Sequence, residues 1–109
     1  MRISTTTHVY ADAHGVAEAI RAIAEAGFDC YDLSVFDISE KNPLFRDGWR
    51  EYVASLKAAA DAAGIVCNQS HAPFPVRIPE IRDAQKYAIE CTAEAGGKIC
   101  MMIPPFLPL

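Results

Sequence analysis

The segment that decides the fold is Ile65-Val66-Cys67-Asn68-Gln69-Ser70-His71-Ala72-Pro73-Phe74-Pro75. It follows Gly64, begins with apolar residues and ends in two prolines, a pattern typical of a short buried strand. Because proline has no backbone N–H to donate, we expect the strand to end near His71. His71 is therefore predicted at the carboxyl end of a strand, the edge at which parallel α/β proteins bind ligands.

The same unit recurs along the chain. Ala-Gly pairs at 26–27, 63–64 and 95–96 close apolar stripes of helical period, at intervals of roughly 30 to 40 residues. The predicted elements, in order, are strand 2–7, a loop over 8–14, helix 15–26, strand 28–35, a loop over 36–46, a helix from Trp49 to Ala63 with Asp47 as its N-cap, strand 65–70, a helix from Pro79 to residue 95, and strand 98–103. Strand and helix alternating in this way predict an α/β fold with parallel strands, and the period alone leaves open a doubly wound sheet or a barrel.

Composition limits the classes of function. With 109 residues, 51% of them apolar, the chain is predicted to be a single domain over 1–109. The net charge of −4, with scattered basic residues, argues against nucleic acid as a partner. No apolar run reaches the length of a membrane helix, and the N-terminus lacks a signal-peptide core, so we expect a cytoplasmic protein.

The four cysteines form no C-x-x-C pair. We interpret them as buried, reduced thiols that pack as small apolar side chains, which argues against a zinc site or a disulfide framework. Trp49 and the Met101-Met102 pair are also interpreted as core residues.

Two motifs carry a resemblance to a known family. Ala26-Gly27-Phe28-Asp29-Cys30-Tyr31-Asp32-Leu33 resembles the second-strand signature of the sugar phosphate isomerase/epimerase family, the xylose-isomerase-like barrels. Gln69-Ser70-His71-Ala72-Pro73-Phe74 resembles its third-strand signature, and a helix then leads into an Ala-Gly-Gly-Lys segment before the fourth strand. The resemblance implies a partial (β/α) TIM barrel, with about three βα units plus a fourth parallel strand.

The resemblance also implies a chemistry. Members of this family use a divalent metal (Mn, Mg, Zn or Co) to move a proton or hydride between adjacent carbons of a sugar or sugar phosphate. Carried over onto this sequence, Asp32 is the expected catalytic residue, His71 the expected metal ligand, and His8 and Gln69 the expected substrate-binding residues. A structural interpretation stays open for each, such as a carboxylate bonded to backbone N–H groups or a loop histidine at a strand end. Since Asn68 and Gln69 alternate along the strand, only one of them is expected to point inward.

The chain departs from the family in two places. A barrel of eight units needs about 250 residues, and where the fourth strand of the family commonly ends in His-Pro this chain has Met102-Ile103-Pro104-Pro105. The uncharged segment 104–109 is expected to be an irregular tail, which a truncation or frameshift would explain. We therefore expect an incomplete metal shell and an inactive isolated chain.

Two alternatives remain open. One is a non-catalytic half-barrel that forms homo-oligomers through its exposed sheet edges, since an open parallel sheet leaves both edges unpaired. The other is a relative of the apurinic endonucleases, whose zinc-binding histidine corresponds to His71. The acidic charge and the absent fourth-strand histidine argue against the second alternative.

Overall fold

The computed structural model describes residues 1–36, 41–73 and 81–103. The strands are β1 (Ser4–Thr6), β2 (Cys30–Ser34), β3 (Val66–His71) and β4 (Ile99–Met101). The helices are α1 (His8–His14), α2 (Val16–Glu25), α3 (Trp49–Ala63) and α4 (Ile81–Glu94), with a 3-10 turn at Pro43–Phe45. None of the helices in these three ranges is long and apolar enough to cross a membrane.

The four strands form one parallel sheet in the order β1-β2-β3-β4. The predicted α/β class with a fourth parallel strand is thereby confirmed. Because side chains alternate along a strand, one face of the sheet carries Ser4, Asp32 and His71 and is called the inner face below. The opposite, outer face carries Tyr31 and Leu33, which are fully buried.

Helices cover the outer face and build the core there. Ile20 and Ile23 of α2 pack in one cluster with residues of the sheet and of α3 and α4. The other members of this cluster include Tyr31, Leu33, Val53, Leu56, Ala60, Ala88 and Cys91. Each large apolar side chain buried in this way contributes about 1.5–3 kcal/mol. The sheet is therefore held from one side, and the inner face is left to carry polar residues.

The predicted loop over 8–14 is wrong, because these residues form α1. None of the α1 residues is buried, so its sequence lacks the apolar stripe by which a helix is recognised. Its first bonded carbonyl is that of Thr7, which accepts from the N–H of Ala11 at 2.9 Å. Gly15, at φ 86°, then separates α1 from α2.

The helix ends show one confirmed and one wrong prediction. Gly64 closes α3 in the left-handed conformation at φ 72°, as its position after Ala63 predicts. The N-cap of α3 is Gly48, at φ 83°, and not Asp47. The sequence favoured the aspartate because its side chain can accept from the first N–H groups of a helix, but the chain turns one residue later, where positive φ requires glycine.

Other predictions differ in extent or lie outside the described ranges. Trp49 is buried, but Met101 and Met102 are 48% and 43% exposed, so their interpretation as core residues is wrong. β4 is shorter than the predicted strand 98–103. Pro79 and the predicted tail 104–109 lie outside the described residues.

Candidate functional site

Three of the predicted site residues meet at the carboxyl ends of β2 and β3. Asp32 lies on β2, and Gln69 and His71 lie on β3, which ends at His71 as predicted. Asp32 pairs with Gln69, and Ser34 pairs with His71, so the three side chains are neighbours on the inner face. We call Asp32, Gln69 and His71 the inner-face cluster.

Asp32 is the centre of this cluster. One of its carboxylate oxygens lies 2.9 Å from Nδ1 of His71, and the other lies 2.8 Å from the same nitrogen. The amide of Gln69 donates to Oδ2 of Asp32 at 2.6 Å. The carboxylate therefore receives two side-chain donors while being almost fully buried, at 4% exposure. A buried carboxylate needs such donors to offset its lost hydration.

His71 is the more exposed partner of the pair. Its side chain is 27% exposed, against 5% for that of Asp32. With Nδ1–H donated to the carboxylate, a neutral imidazole carries its lone pair on Nε2. That nitrogen is the atom of the cluster that can accept a proton or bind a metal.

Backbone bonds fix the two strands at this edge. The N–H of Thr7 donates to the carbonyl of Asp32 at 3.0 Å, and the N–H of Val35 donates to the carbonyl of His71 at 3.0 Å. The buried hydroxyl of Thr7 accepts from the N–H of Ser34 at 3.1 Å. Asp32 and His71 are therefore held by their backbones as well as by their side chains.

Phe36 links His8 to the cluster. The rings of His8 and Phe36 pack edge to face with centroids 5.3 Å apart, and Phe36 packs in the same way on His71 at 5.6 Å. His8 itself is exposed at the first turn of α1. Phe36 is a site residue that sequence reasoning missed. A signal existed, because residues 32, 34 and 36 share the parity that places side chains on the inner face.

The strand β3 contains a bulge that the alternation rule did not predict. Tyr31 pairs with Cys67, but the next residue, Asp32, pairs with Gln69. Asn68 is therefore an extra residue between the two pairs, which is the definition of a β-bulge.

The bulge places both amides of the predicted pair on the inner face. Gln69 donates to Asp32, and Nδ2 of Asn68 donates to the hydroxyl of Ser4 on β1 at 3.3 Å. The prediction that only one of Asn68 and Gln69 points inward is thus wrong. It assumed strict alternation, which the inserted residue breaks.

The cysteines behave as small apolar residues. Cys30, Cys67 and Cys91 are buried, Cys100 is half-buried, and all four thiols are free. Burial raises the pKa of the Cys67 thiol to about 11 and that of Cys91 to about 12. These thiols stay protonated at neutral pH and are poor nucleophiles.

The described side chains do not provide enough ligands for a divalent metal. A catalytic metal site uses about three protein ligands, and the described ranges hold no group of three His, Cys, Asp or Glu side chains that could surround an ion. The inner-face cluster supplies Nε2 of His71, while the Asp32 carboxylate is engaged by that ring and by Gln69. The described residues therefore do not fit a complete metal shell.

Comparisons with known proteins identify the fold. No family model matches the chain, and no curated protein matches its sequence. Two solved structures do match the chain. The apo form of 3-keto-D-glucoside 4-epimerase YcjR from E. coli is 22% identical, with a TM-score of 0.64, over 92% of this chain and 36% of that one. D-psicose 3-epimerase, solved in the presence of D-fructose, is 15% identical, with a TM-score of 0.62, over 94% of this chain and 37% of that one.

The chain shares the fold of these sugar epimerases, which are xylose-isomerase-like TIM barrels, and it spans little more than a third of their length. The resemblance read from the two strand motifs is confirmed at the level of the fold. The predicted partial TIM barrel is confirmed with it.

Proposed function

We propose that this chain supplies part of the sugar site of an isomerase or epimerase, in which His71 moves a proton at a carbon next to a sugar carbonyl. The observation that carries the proposal is the Asp32–His71 pair at the carboxyl edge of the sheet. It lies in a fold shared with two sugar epimerases. The carboxyl edge of the strands is where barrels of this kind carry their catalytic side chains.

The geometry gives each member of the cluster a task. Nε2 of His71 touches the substrate and accepts the proton, and the electron pair of the broken C–H bond moves onto the sugar carbonyl to give an enediolate. Both ring nitrogens of His71 then carry hydrogen. Asp32 holds the ring through Nδ1 and stabilises the imidazolium that forms, so it is a positioning residue that acts through His71. The proposal therefore gives His71 the catalytic role that the resemblance implied for Asp32.

Gln69 and His8 complete the proposed site. The amide of Gln69 donates to Asp32, which leaves its carbonyl oxygen to accept from a sugar hydroxyl. His8 would contact the far end of the substrate, across the ring of Phe36. Aromatic and apolar walls with few polar groups are typical of small-molecule sites.

The two proposed roles of His71 exclude one another at any moment. Metal ligation and proton transfer would both use Nε2, because Nδ1 is bonded to Asp32. The described residues do not complete a metal shell, so His71, Asp32 and Gln69 carry the proposed proton transfer themselves.

We expect the isolated monomer to bind a ketose but not to epimerise it. Epimerisation needs a proton removed from one face of a carbon and returned to the other, which requires two acid–base groups in different places. The described residues offer the single Asp32–His71 pair for this task. The expected outcome is no formation of an epimer of D-fructose above the buffer rate, and turnover by a demonstrated monomer would contradict it.

The binding proposal is tested by the imidazole resonances of the three histidines. Titration with D-fructose and D-fructose 6-phosphate should shift His71, and Gln69→Ala should weaken that shift. His14, which is exposed at the end of α1, is the internal control and should not move. Equal shifts of His14 and His71, or no saturable shift, would contradict a sugar site at the cluster.

A second candidate function is a self-associating half-barrel, favoured by apolar residues on the inner face of β4. Ile99 pairs with Gln69 and Met101 with His71, so both lie on the inner face, where they are 58% and 48% exposed. β1 and β4 are the two edge strands of the sheet. Two copies that paired β4 with the β1 of the partner would form eight parallel strands, the number in a TIM barrel, and cover these side chains.

Sedimentation velocity over a range of concentrations tests this second proposal. Met101→Glu should shift the chain to a monomer, since a charge cannot be buried in the closed barrel without cost. Ile89→Glu is the matched control, because Ile89 is 44% exposed on α4 and should leave the assembly unchanged. A stable monomer of the unsubstituted chain at millimolar concentration would refute the proposal.

A further inference from the structure

Ser4 and Asn68 form a polar pair on the inner face, nearer the amino ends of the strands than His71. Nδ2 of Asn68 on β3 donates to the hydroxyl of Ser4 on β1 at 3.3 Å, so the bond spans β2. The residue of β2 that pairs with Ser4 is Cys30, which is fully buried. Ser4 and Asn68 are themselves half-buried. The proposed proton transfer does not use this pair.

The pair leaves one acceptor and one donor unused. Among the described residues, Oδ1 of Asn68 is buried and has no hydrogen-bond partner. The hydroxyl of Ser4 accepts from Asn68, so its own hydrogen is left to be donated. The two groups complement each other, but one serine hydroxyl cannot satisfy both ends of one amide. A buried acceptor without a donor destabilises the fold, so a second donor at this place would stabilise it.

The bond between the pair runs in the direction of a layer in a closed barrel. Ser4 pairs with Cys30, and Cys30 pairs with Val66, so Val66 is the residue of β3 that lies level with Ser4. Asn68 lies two residues further along β3, and its bond to Ser4 is therefore diagonal. Closed barrels have tilted strands with a staggered register, and TIM barrels fill their interior with layers of four side chains from alternate strands. Because β1 and β3 are alternate strands, Ser4 and Asn68 occupy two positions of such a layer.

A second copy of this chain offers the other two positions. When the β4 of each copy pairs with the β1 of the other, the alternate strands of the closed barrel are the β1 and β3 of both copies. Ser4 of one copy is then two strands away from Asn68 of the other, the same separation as within a copy. Each Ser4 donates to the Asn68 of the other copy and accepts from its own, which closes a ring of hydrogen bonds. The ring also closes with both amides reversed, since each serine then donates within its copy and accepts between copies.

We infer that the inner face binds a second copy of this chain, and that the ring of Ser4 and Asn68 from both copies fixes the register in which they join. Val66, Ile99 and Met101 are apolar and exposed on the same face, and the closed barrel covers them. Polar groups that are satisfied in a single arrangement fix register elsewhere, as a buried asparagine does in coiled coils. The inference rests on the self-association proposed above and is independent of proton transfer at His71.

Sedimentation equilibrium of the full chain measures the dissociation constant of the dimer. Ser4→Ala removes both bonds between the copies and should raise this constant about tenfold or more. Asn68→Ala should act alike, and the double variant should lose no more than either single variant, because each change breaks the whole ring. Ser4→Thr keeps the hydroxyl and should keep the dimer. Ser55→Ala is the matched control, since Ser55 is exposed and donates within its own helix to the carbonyl of Tyr52.

The side-chain amide of Asn68 gives a second readout that needs no substitution. Its hydrogens should exchange with solvent more slowly above the dissociation constant than below it, because the closed barrel excludes water from the ring. Equal exchange at both concentrations, an unchanged constant for Ser4→Ala, or an equal loss in Ser55→Ala would overturn the ring and leave self-association in place. A stable monomer of the unsubstituted chain at millimolar concentration would overturn both.

Discussion

Nδ1 of His71 lies 2.9 Å from one carboxylate oxygen of Asp32 and 2.8 Å from the other, so the ring nitrogen is centred between the two. The contact joins neighbouring strands at the edge of the sheet, and Asp32 is buried beneath the more exposed imidazole. This arrangement fixes which nitrogen of His71 is occupied by the carboxylate. It also means that a change at Asp32 acts on the strand pairing as well as on the histidine.

Asp32→Asn should lower the free energy of unfolding by about 1–3 kcal/mol. The carboxylate accepts from two donors, Nδ1 of His71 and Nε2 of Gln69. An asparagine has one acceptor oxygen, so its amide nitrogen would face one of these donors in a buried place. Urea denaturation at neutral pH measures the difference.

Asp61→Asn is the control for that substitution. Asp61 is an exposed partner of Lys57 at 2.9 Å on α3, and an ion pair in such a place contributes at most about 0.5 kcal/mol. If Asp61→Asn lowered the free energy of unfolding as much as Asp32→Asn, burial and the two side-chain donors would not explain the contribution of Asp32 to stability.

Gly97→Ala should destabilise the fold by about 1–3 kcal/mol, because a Cβ there meets atoms that cannot all move away. It would lie 2.9 Å from Cγ2 of Thr92, 3.2 Å from Sγ of Cys67 and 3.3 Å from the backbone oxygen of Thr92. Thr92→Ser removes the closest of these atoms and keeps the hydroxyl that bonds Ser70 and the carbonyl of Ala88. In the double variant the cost of Gly97→Ala should therefore be smaller, and an unchanged cost would contradict this explanation.

The stability of the chain should fall at alkaline pH. The thiols of Cys67 and Cys91 ionise near pH 9 when unfolded, but burial raises their pKa values in the folded chain to about 11 and about 12. Between these values the folded state binds more protons than the unfolded state, so the free energy of unfolding decreases as pH rises. Burial raises the pKa of Tyr31 as well, which extends the loss to higher pH.

Urea denaturation at intervals from pH 7 to pH 10.5 tests the thiol prediction. We expect constant stability up to about pH 8 and a progressive loss of about 2 kcal/mol for each thiol by pH 10.5. Cys91→Ala should show a flatter pH dependence than the unsubstituted chain, even though the cavity lowers its stability overall. A rise in stability between pH 8 and pH 10 would contradict the assignment.

The order of strands and helices was predictable because local residues mark where each element ends. Ala63-Gly64 closes α3, and the proline after Ala72 stops β3, since both effects depend on backbone conformation within a few residues. The same local rules placed Asp32 and His71 at strand ends. Their mutual contact followed from parallel pairing of neighbouring strands.

What could not be predicted depends on contacts between elements. The bulge at Asn68 is set by how β3 pairs with β2, and α1 buries nothing, so neither leaves a periodic signal. Phe36 follows the last residue of β2 and gains its role only when His8 and His71 come to lie on either side of its ring. Register and ring packing are tertiary properties, which local sequence does not specify.

The predicted role of His71 as a metal ligand leads to one further measurable outcome. Since the described residues offer Nε2 of His71 without two further ligands close by, Co²⁺ should bind weakly, with a dissociation constant in the millimolar range. Paramagnetic broadening should affect the His71 imidazole before that of His14, and His71→Gln should weaken the binding of Co²⁺. His14→Gln is the matched control and should leave broadening at His71 unchanged. Micromolar affinity that survives His71→Gln would show that the metal is held elsewhere and that His71 is not its ligand.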